Sequence, residues 1–171
     1  MRLSSFSLIA VTGVALVMST FQTAGAAEQA RAKMMNANGE GVGEVTLDET
    51  PHGTLLHATL ENLPAGTHAF HVHSVGKCEP PFKSAGGHFN PEGKMHGILS
   101  ADGLHVGDMP NIHVPASGSL EIEVLNTLLK LDSTLFDSDG AAIVIHAGAD
   151  DYKSDPAGAA GPRIACGVIG R

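Results

Sequence analysis

Ten histidines occur among 171 residues that include one Tyr and no Trp, and His68, His71 and His73 fall within the six residues "HAFHVH". Imidazole is the commonest metal ligand and the side chain that titrates nearest neutral pH, so histidine spacing sets what chemistry is available. Residues i and i+2 of an extended chain project from one face. His71 and His73 therefore stand together, while Phe70 and Val72 turn to the side a packed core would take. Downstream come His88 in "GGHFNP", His96 in "KMHG", His105 and Asp108 in "LHVGD", and His146 at the end of the apolar run "AAIVIH". His88, His96, His105 and Asp108 make a tetrahedral zinc set, because that borderline-soft cation accepts nitrogen and oxygen alike. His71, His73 and His146 suit copper, which favours nitrogen ligands in a tetragonal arrangement. Copper wants a fourth nitrogen, and His88 serves both metals if its ring loses its remaining proton and bridges as imidazolate.

These side chains need a scaffold that brings distant segments together. Short β-favouring runs alternate with Gly, Pro, Asn and Asp clusters. Residues 41–47, 53–60 and 67–73 read as an antiparallel meander, with turns at 48–52 and 62–66. Residues 105–114, 119–124, 141–146 and 164–169 read as further strands, and 125–131 as a short helical turn. Strands at this spacing with almost no helical periodicity predict an all-β sandwich or barrel. Two stretches, 74–104 and 147–162, are long and rich in Gly, Pro and polar residues, and loops of that length in a compact domain are usually functional or disordered. The first, with its flanks, holds His73, His88, His96 and His105, which favours function.

The length suits one domain with a substantial core. Its first segment is not part of that core: Met1-Arg2 gives a positive start, 8–18 is apolar, and Ala24-Gly25-Ala26 presents small residues at the spacing a signal peptidase reads. The apolar run is too short to span a membrane, so we read an exported protein cut after Ala26, with residues 27–171 as the functional domain. The absence of a Cys beside that cleavage site argues against a lipid membrane anchor. Loss of Arg2 leaves nine Lys and Arg against eighteen Asp and Glu, a net charge of about −9. Such a chain is a poor partner for nucleic acid, and an anionic substrate would need a local attractive patch. In an oxidising compartment Cys78 and Cys166, the two cysteines present, favour a disulfide, worth about 4 kcal/mol in the chain-entropy model. Metal-binding thiolates are the rival, although neither Cys has a CxxC neighbour.

The segments "FHVH", "SAGGHFNP", "HG", "HVGD", "VIHAGADD" and "GPRIACGVIG", in this order and at these intervals, closely resemble copper/zinc superoxide dismutase of the exported bacterial type. The likeness runs from about Ala30 to the C-terminus. It implies a Greek-key antiparallel β-sandwich, or flattened eight-stranded barrel, with two long functional loops. It assigns His71, His73, His88 and His146 to copper, and His88, His96, His105 and Asp108 to zinc. Asp150 takes the place of the family's carboxylate that accepts hydrogen bonds from His71 and His96 without touching either metal. Arg163 matches the guanidinium that docks superoxide beside copper, and Cys78 and Cys166 match the disulfide that ties the long loop to the barrel. The activity implied is dismutation of superoxide to oxygen and hydrogen peroxide by alternating copper oxidation states, with His88 passing a proton and zinc holding its ring. The location implied is the periplasm where the cell has an outer membrane, and otherwise outside the cell or at its surface; homodimer and monomer both stay open.

His68 lies on the opposite strand face and corresponds to a family histidine that hydrogen-bonds backbone. His52, His57 and His113 have no ligand counterpart and read as surface or satisfied histidines. Met34-Met35 reads as a strand start rather than a copper-capture site. Lys83 and Lys153 are the candidates for steering superoxide, although "DYKSDP" departs from the animal-type loop, so steering residues do not transfer from that branch. The competing reading is an exported copper- or zinc-binding protein without turnover. Such a relative would be expected to lack a copper ligand or the docking Arg, and this chain lacks neither.

Overall fold

A computed structural model describes residues 28–171; the predicted leader, 1–26, lies outside the described residues. Period-two burial builds the sheet. In β1 (Gln29–Asn36) Ala30, Ala32 and Met34 are buried between exposed neighbours. Val42, Val45 and Leu47 of β2 (Gly41–Thr50) and Leu56, Ala58 and Leu60 of β3 (Gly53–Leu60) continue the same inner face. The remaining strands are β4 (Gly66–His68), β5 (Phe70–His73), β6 (Ile112–Val114), β7 (Leu120–Asn126), β8 (Ala142–His146) and β9 (Arg163–Gly170).

All pairings between these strands are antiparallel, in a curled seven-stranded sheet of order β5-β8-β9-β1-β2-β3-β7 beside a two-stranded sheet β4-β6. Sequence-distant neighbours, β1 with β9 and β3 with β7, give the Greek-key character. The predicted strand 67–73 is broken at Ala69: β4 pairs with β6, and β5 with β8. Counted as one interrupted strand, the two bring the total to the eight that the resemblance implied.

Four details differ from the sequence reading. The meander is β1-β2-β3, because residues 61–65 carry the chain away from β3, which pairs with β7 instead. β1 was anticipated only as a strand start at Met34-Met35 and begins five residues earlier, at Gln29, since "QARAKMMN" is composed mainly of helix formers and tertiary burial of one face overrides that preference. The segment 105–114 is a strand only over Ile112–Val114. No helical turn forms at 125–131: Asn126 Oδ1 accepts the Leu128 and Leu129 amides at 3.0 and 2.9 Å, an Asx-type turn that competes with helix.

The site is placed by β5 and β8. Phe70 and Val72 join Ile143 and Ile145 in the main core. His71 stands opposite Val144, and His73 opposite Ala142, on the other face. There Ala142 and Val144 pack with Phe82, Ala85 and Cys166. The Cys78–Cys166 disulfide, closing 88 residues of sequence, fastens the loop carrying Phe82 and Ala85 to β9. No helix of the described residues is long and apolar enough to cross a membrane.

Candidate metal centre

Backbone hydrogen bonds lace the ligand-bearing loops to β5. The Phe89 amide donates to Val72 O at 2.8 Å, the Val72 amide to Gly107 O at 2.9 Å, and the Gly107 amide to Phe89 O at 2.8 Å. Isolated bridges pair His73 with His88 and His71 with Asp108. The His146 amide donates to Ala69 O at 2.9 Å, so the end of β8 meets the break between β4 and β5. Two buried groups result, His71/His73/His88/His146 and His88/His96/His105/Asp108, each with one donor atom per residue lying within 4.8 Å of the others. His88 belongs to both.

The outer ring nitrogens of His71, His73, His96 and His146 are anchored. His71 Nε2 donates to Asp150 Oδ2 at 2.8 Å. His73 Nδ1 donates to Gly86 O at 3.0 Å and His146 Nδ1 to Gly161 O at 3.2 Å. His96 Nε2 donates to Asp150 Oδ1 at 3.0 Å. A neutral imidazole has one N–H, so each anchor leaves a lone pair on the nitrogen that faces inward.

Those inward atoms test whether metals fit. His71 Nδ1 and His88 Nε2 are buried without a hydrogen-bond partner among the described residues. Buried acceptors are rarely left so, and a cation between the four rings would satisfy both. Across the site, Nδ1 of His88, His96 and His105 converge on Asp108 Oδ1 at 2.8, 3.1 and 3.3 Å. His96 cannot donate to Asp108 as well as to Asp150 while neutral, so its Nδ1 offers a lone pair toward the carboxylate. Neutral His88, whose Nε2 is the orphaned acceptor, keeps its proton on Nδ1 toward Asp108; a cation there would displace that proton and be held by three nitrogens and one carboxylate oxygen. Asp108 Oδ2 is held separately by the Gly97 and His105 amides at 2.9 and 3.0 Å. Nitrogen-rich donors suit copper, and three nitrogens with one oxygen suit zinc.

Electrostatics favour the metal-ready protonation states. Burial, with repulsion from neighbouring imidazoles, lowers His88 and His146 from 6.5 to about 4, against opposing hydrogen bonds to Asp108 and Gly161 O respectively. Burial also takes His73 well below its ordinary value, helped by His88 and Arg163. Burial alone would raise Asp150, but bonds from His71, His96 and the Tyr152 amide outweigh it and set the carboxyl at about 2. Asp108 is driven well below the usual carboxylate range in the same way, by His88 and the Gly97 amide against burial. At neutral pH these rings are neutral and both carboxylates charged.

Arg163, at the start of β9, donates from Nη1 to Phe82 O and from Nη2 to Gly86 O, both at 2.5 Å. Gly86 O thus receives both Arg163 and His73, tying the guanidinium to a ring of the first group. A cavity of about 350 Å³ opens beside it, lined by Pro81, Lys83, Gly161, Pro162 and Arg163. Lys83 therefore sits at the mouth, whereas Lys153 is exposed on the other loop and does not line this cavity. His68 bonds only backbone, with His146 O and Pro64 O each at 2.9 Å. His57 pairs with Glu121 and His113 with Thr67, away from both groups. Met34 is buried in the core and Met35 is exposed.

Several residues around the centre went unnoticed in the sequence. Asn111 and Tyr152 hold Asp150, Asp155 Oδ1 accepts the His96 amide at 2.7 Å, and Gly158 lies against Asp150 and His96. Tyr152 and Asp155 fall in the segment "DYKSDP" and Gly158 in the same irregular stretch 147–162, where location was their only signal, whereas Asn111 fell in a segment read as strand.

Residues 42–169 match the model of the family described as copper/zinc superoxide dismutase. The chain is 50% identical over 147 residues to superoxide dismutase [Cu-Zn] 2 of Aquifex aeolicus, covering 82% of this chain and 86% of that one. The Cu/Zn superoxide dismutase from Brucella abortus superposes with a TM-score of 0.72 at 31% identity, over 84% of this chain and all of that one. A SOD-like protein from Bacillus subtilis gives a TM-score of 0.77 at 34% identity, over 81% and 96%. With its fold, its two histidine groups and these likenesses in agreement, the chain belongs to the copper/zinc superoxide dismutase family.

Proposed function

We propose that this protein is a copper/zinc superoxide dismutase, in which His71, His73, His88 and His146 hold copper while His88, His96, His105 and Asp108 hold zinc. The observation that carries the reading is the shared ring: His88 contributes to both buried groups, and its Nε2 is one of the two orphaned nitrogens. Two superoxide anions and two protons become one dioxygen and one hydrogen peroxide; the first anion gives up an electron, and the second receives it. Bound copper supplies the alternating electron acceptor and donor, and bound zinc a fixed positive charge on the His88 ring.

The chain's own residues do the rest. Arg163 presents a permanently charged donor to a small anion, and its two bonds to Phe82 O and Gly86 O hold the guanidinium at the cavity wall. His88 would accept a proton at Nε2 in one half of the cycle and surrender it in the other. Asp150 fixes the rings of His71 and His96, and the carbonyls of Gly86 and Gly161 fix those of His73 and His146. Lys83 adds attraction at the mouth of a chain that is otherwise acidic.

The leader at 1–26, the disulfide and the likeness to bacterial enzymes support export, with residues 27–171 as the mature enzyme, in the periplasm of a cell with an outer membrane. Superoxide consumption by the copper- and zinc-loaded protein, beside His146→Ala and the zinc-only form, tests the reading. Turnover that needs both copper and His146 supports it. Both metals bound without turnover above free-copper controls would move the protein to metal binding alone.

A further inference from the structure

Asp150 is gripped from two directions. Its carboxylate accepts His71 Nε2, His96 Nε2 and the Tyr152 amide at 2.8, 3.0 and 2.6 Å. Its main chain forms a reciprocal pair with Asn111, whose Nδ2 donates to Asp150 O at 2.9 Å and whose Oδ1 accepts the Asp150 amide at 2.8 Å. The Asn111 amide donates to the Tyr152 hydroxyl at 2.7 Å. The Tyr152 carbonyl accepts the Leu99 amide at 3.1 Å, on the loop that carries His96.

This closed ring of bonds joins three segments far apart in sequence. A carboxylate that must meet two imidazoles at once tolerates little displacement, since supporting shells have to hold functional groups to about 0.5 Å. Asp150 belongs to an irregular stretch with no strand to fix it. Asn111 lies three residues beyond Asp108, so the segment that supplies the zinc-side carboxylate also anchors the bridging one. Tyr152 closes the arrangement from the opposite side, its amide on the carboxylate and its hydroxyl on Asn111.

We propose that Asn111 and Tyr152 are positioning residues: a clamp that sets the Asp150 carboxylate, and through it the rings of His71 and His96, before any metal arrives. This rests on the metal-site reading given above. No hydrogen bond joins either side chain to an imidazole of the site, so the two side chains reach the rings through Asp150, and the main chain of Tyr152 additionally holds Leu99 on the loop of His96. Tyr152 is also the only tyrosine in a chain without tryptophan, so tyrosine fluorescence monitors the clamp alone.

The test uses the mature protein with Asn111→Ala, Asn111→Asp and Tyr152→Phe. Zinc affinity is measured by competition with a chromogenic chelator, and the Nε2 ring protons of His71 and His96 are followed by NMR in the metal-free state. Asn111→Ala should weaken zinc by about tenfold, the low end for loss of an outer-shell partner, and speed exchange of both ring protons. Asn111→Asp keeps the acceptor for the Asp150 amide but sets a carboxylate oxygen against Asp150 O, where Nδ2 donated, so it should weaken zinc at least as much as Asn111→Ala, while Tyr152→Phe should cost roughly threefold. A lowered melting temperature with wild-type zinc affinity and wild-type ring protons would reduce the clamp to ordinary structure and overturn the proposal. If Asn111→Ala does not fold, Tyr152→Phe decides on the same two readouts. A wild-type protein that bound no zinc would instead sink the metal-site reading, and the metal-free ring protons would still judge the clamp.

Discussion

Replacing Gly158 by Ala adds one methyl group at the point where the account is least forgiving. Gly158 has φ +64°, and a Cβ there would fall inside the van der Waals shell of Asp150 Oδ1 and Cγ and 2.8 Å from His96 Nε2. The left-handed backbone costs an alanine about 1–2 kcal/mol. Moving the carboxylate aside weakens its bonds to His71 and His96, each worth about 1.5–3 kcal/mol for a charged group, so the variant should lose on the order of 5 kcal/mol in all. Gly93→Ala is the control, because Gly93 has φ +65° and open space around its Cβ position; it carries only the backbone cost. Thermal unfolding of both metal-free variants should separate them by roughly 10 °C, at about 3 °C per kcal/mol for a domain of this size. Chelator competition should show zinc weakened by about 10- to 100-fold in Gly158→Ala alone. Equal melting temperatures and equal zinc affinities in the two variants would refute the claim that Asp150 holds the two rings in place.

Three further outcomes follow from the site. Lys83→Gln should slow superoxide association by roughly threefold at low salt and flatten its salt dependence, whereas Lys153→Gln should change little; stopped-flow decay at two ionic strengths distinguishes them. Metal-free protein should lose stability as pH falls from 6.5 to about 4, because the unfolded chain protonates His88 and His146 at 6.5 while the folded one resists until about 4. Each contributes on the order of 3 kcal/mol at most, Asp150 extends the loss from its ordinary 3.8 toward about 2, and denaturant midpoints at pH 7.5 and 4.5 read the difference. Removing the disulfide with Cys78→Ser and Cys166→Ser should cost about 4 kcal/mol, seen as a lower denaturant midpoint, and should loosen Arg163, whose carbonyl partners Phe82 and Gly86 lie on the tethered loop.

What the sequence disclosed follows from the kind of signal each feature leaves. His71 and His73 were legible because strand period and imidazole chemistry coincide in four residues, and the remaining ligands because each sits in a short motif. β2, β3 and β8 announced themselves through β-branched and apolar runs. β1 showed only at Met34-Met35, since Ala30 and Ala32 of its inner face say little about strand and are buried here by β2 and β9. The segment 105–111 alternates enough to imitate a strand, yet its backbone turns to aim Asp108 at three rings. Asn111 was invisible for a different reason: its partner lies 39 residues away, and a single Asn in a loop carries no pattern until the fold closes.

The shared ring of His88 is the centre of the account, and paramagnetic resonance tests it most directly. The protein is loaded with copper(II) in the first group and cobalt(II) in place of zinc in the second, and the copper signal is compared with that of the copper-only form. If His88 joins both groups, exchange through its ring should abolish or strongly broaden the copper signal when cobalt is present. An unchanged copper signal, with both metals bound one per chain, would mean that the two sites are separate and that His88 does not bridge them.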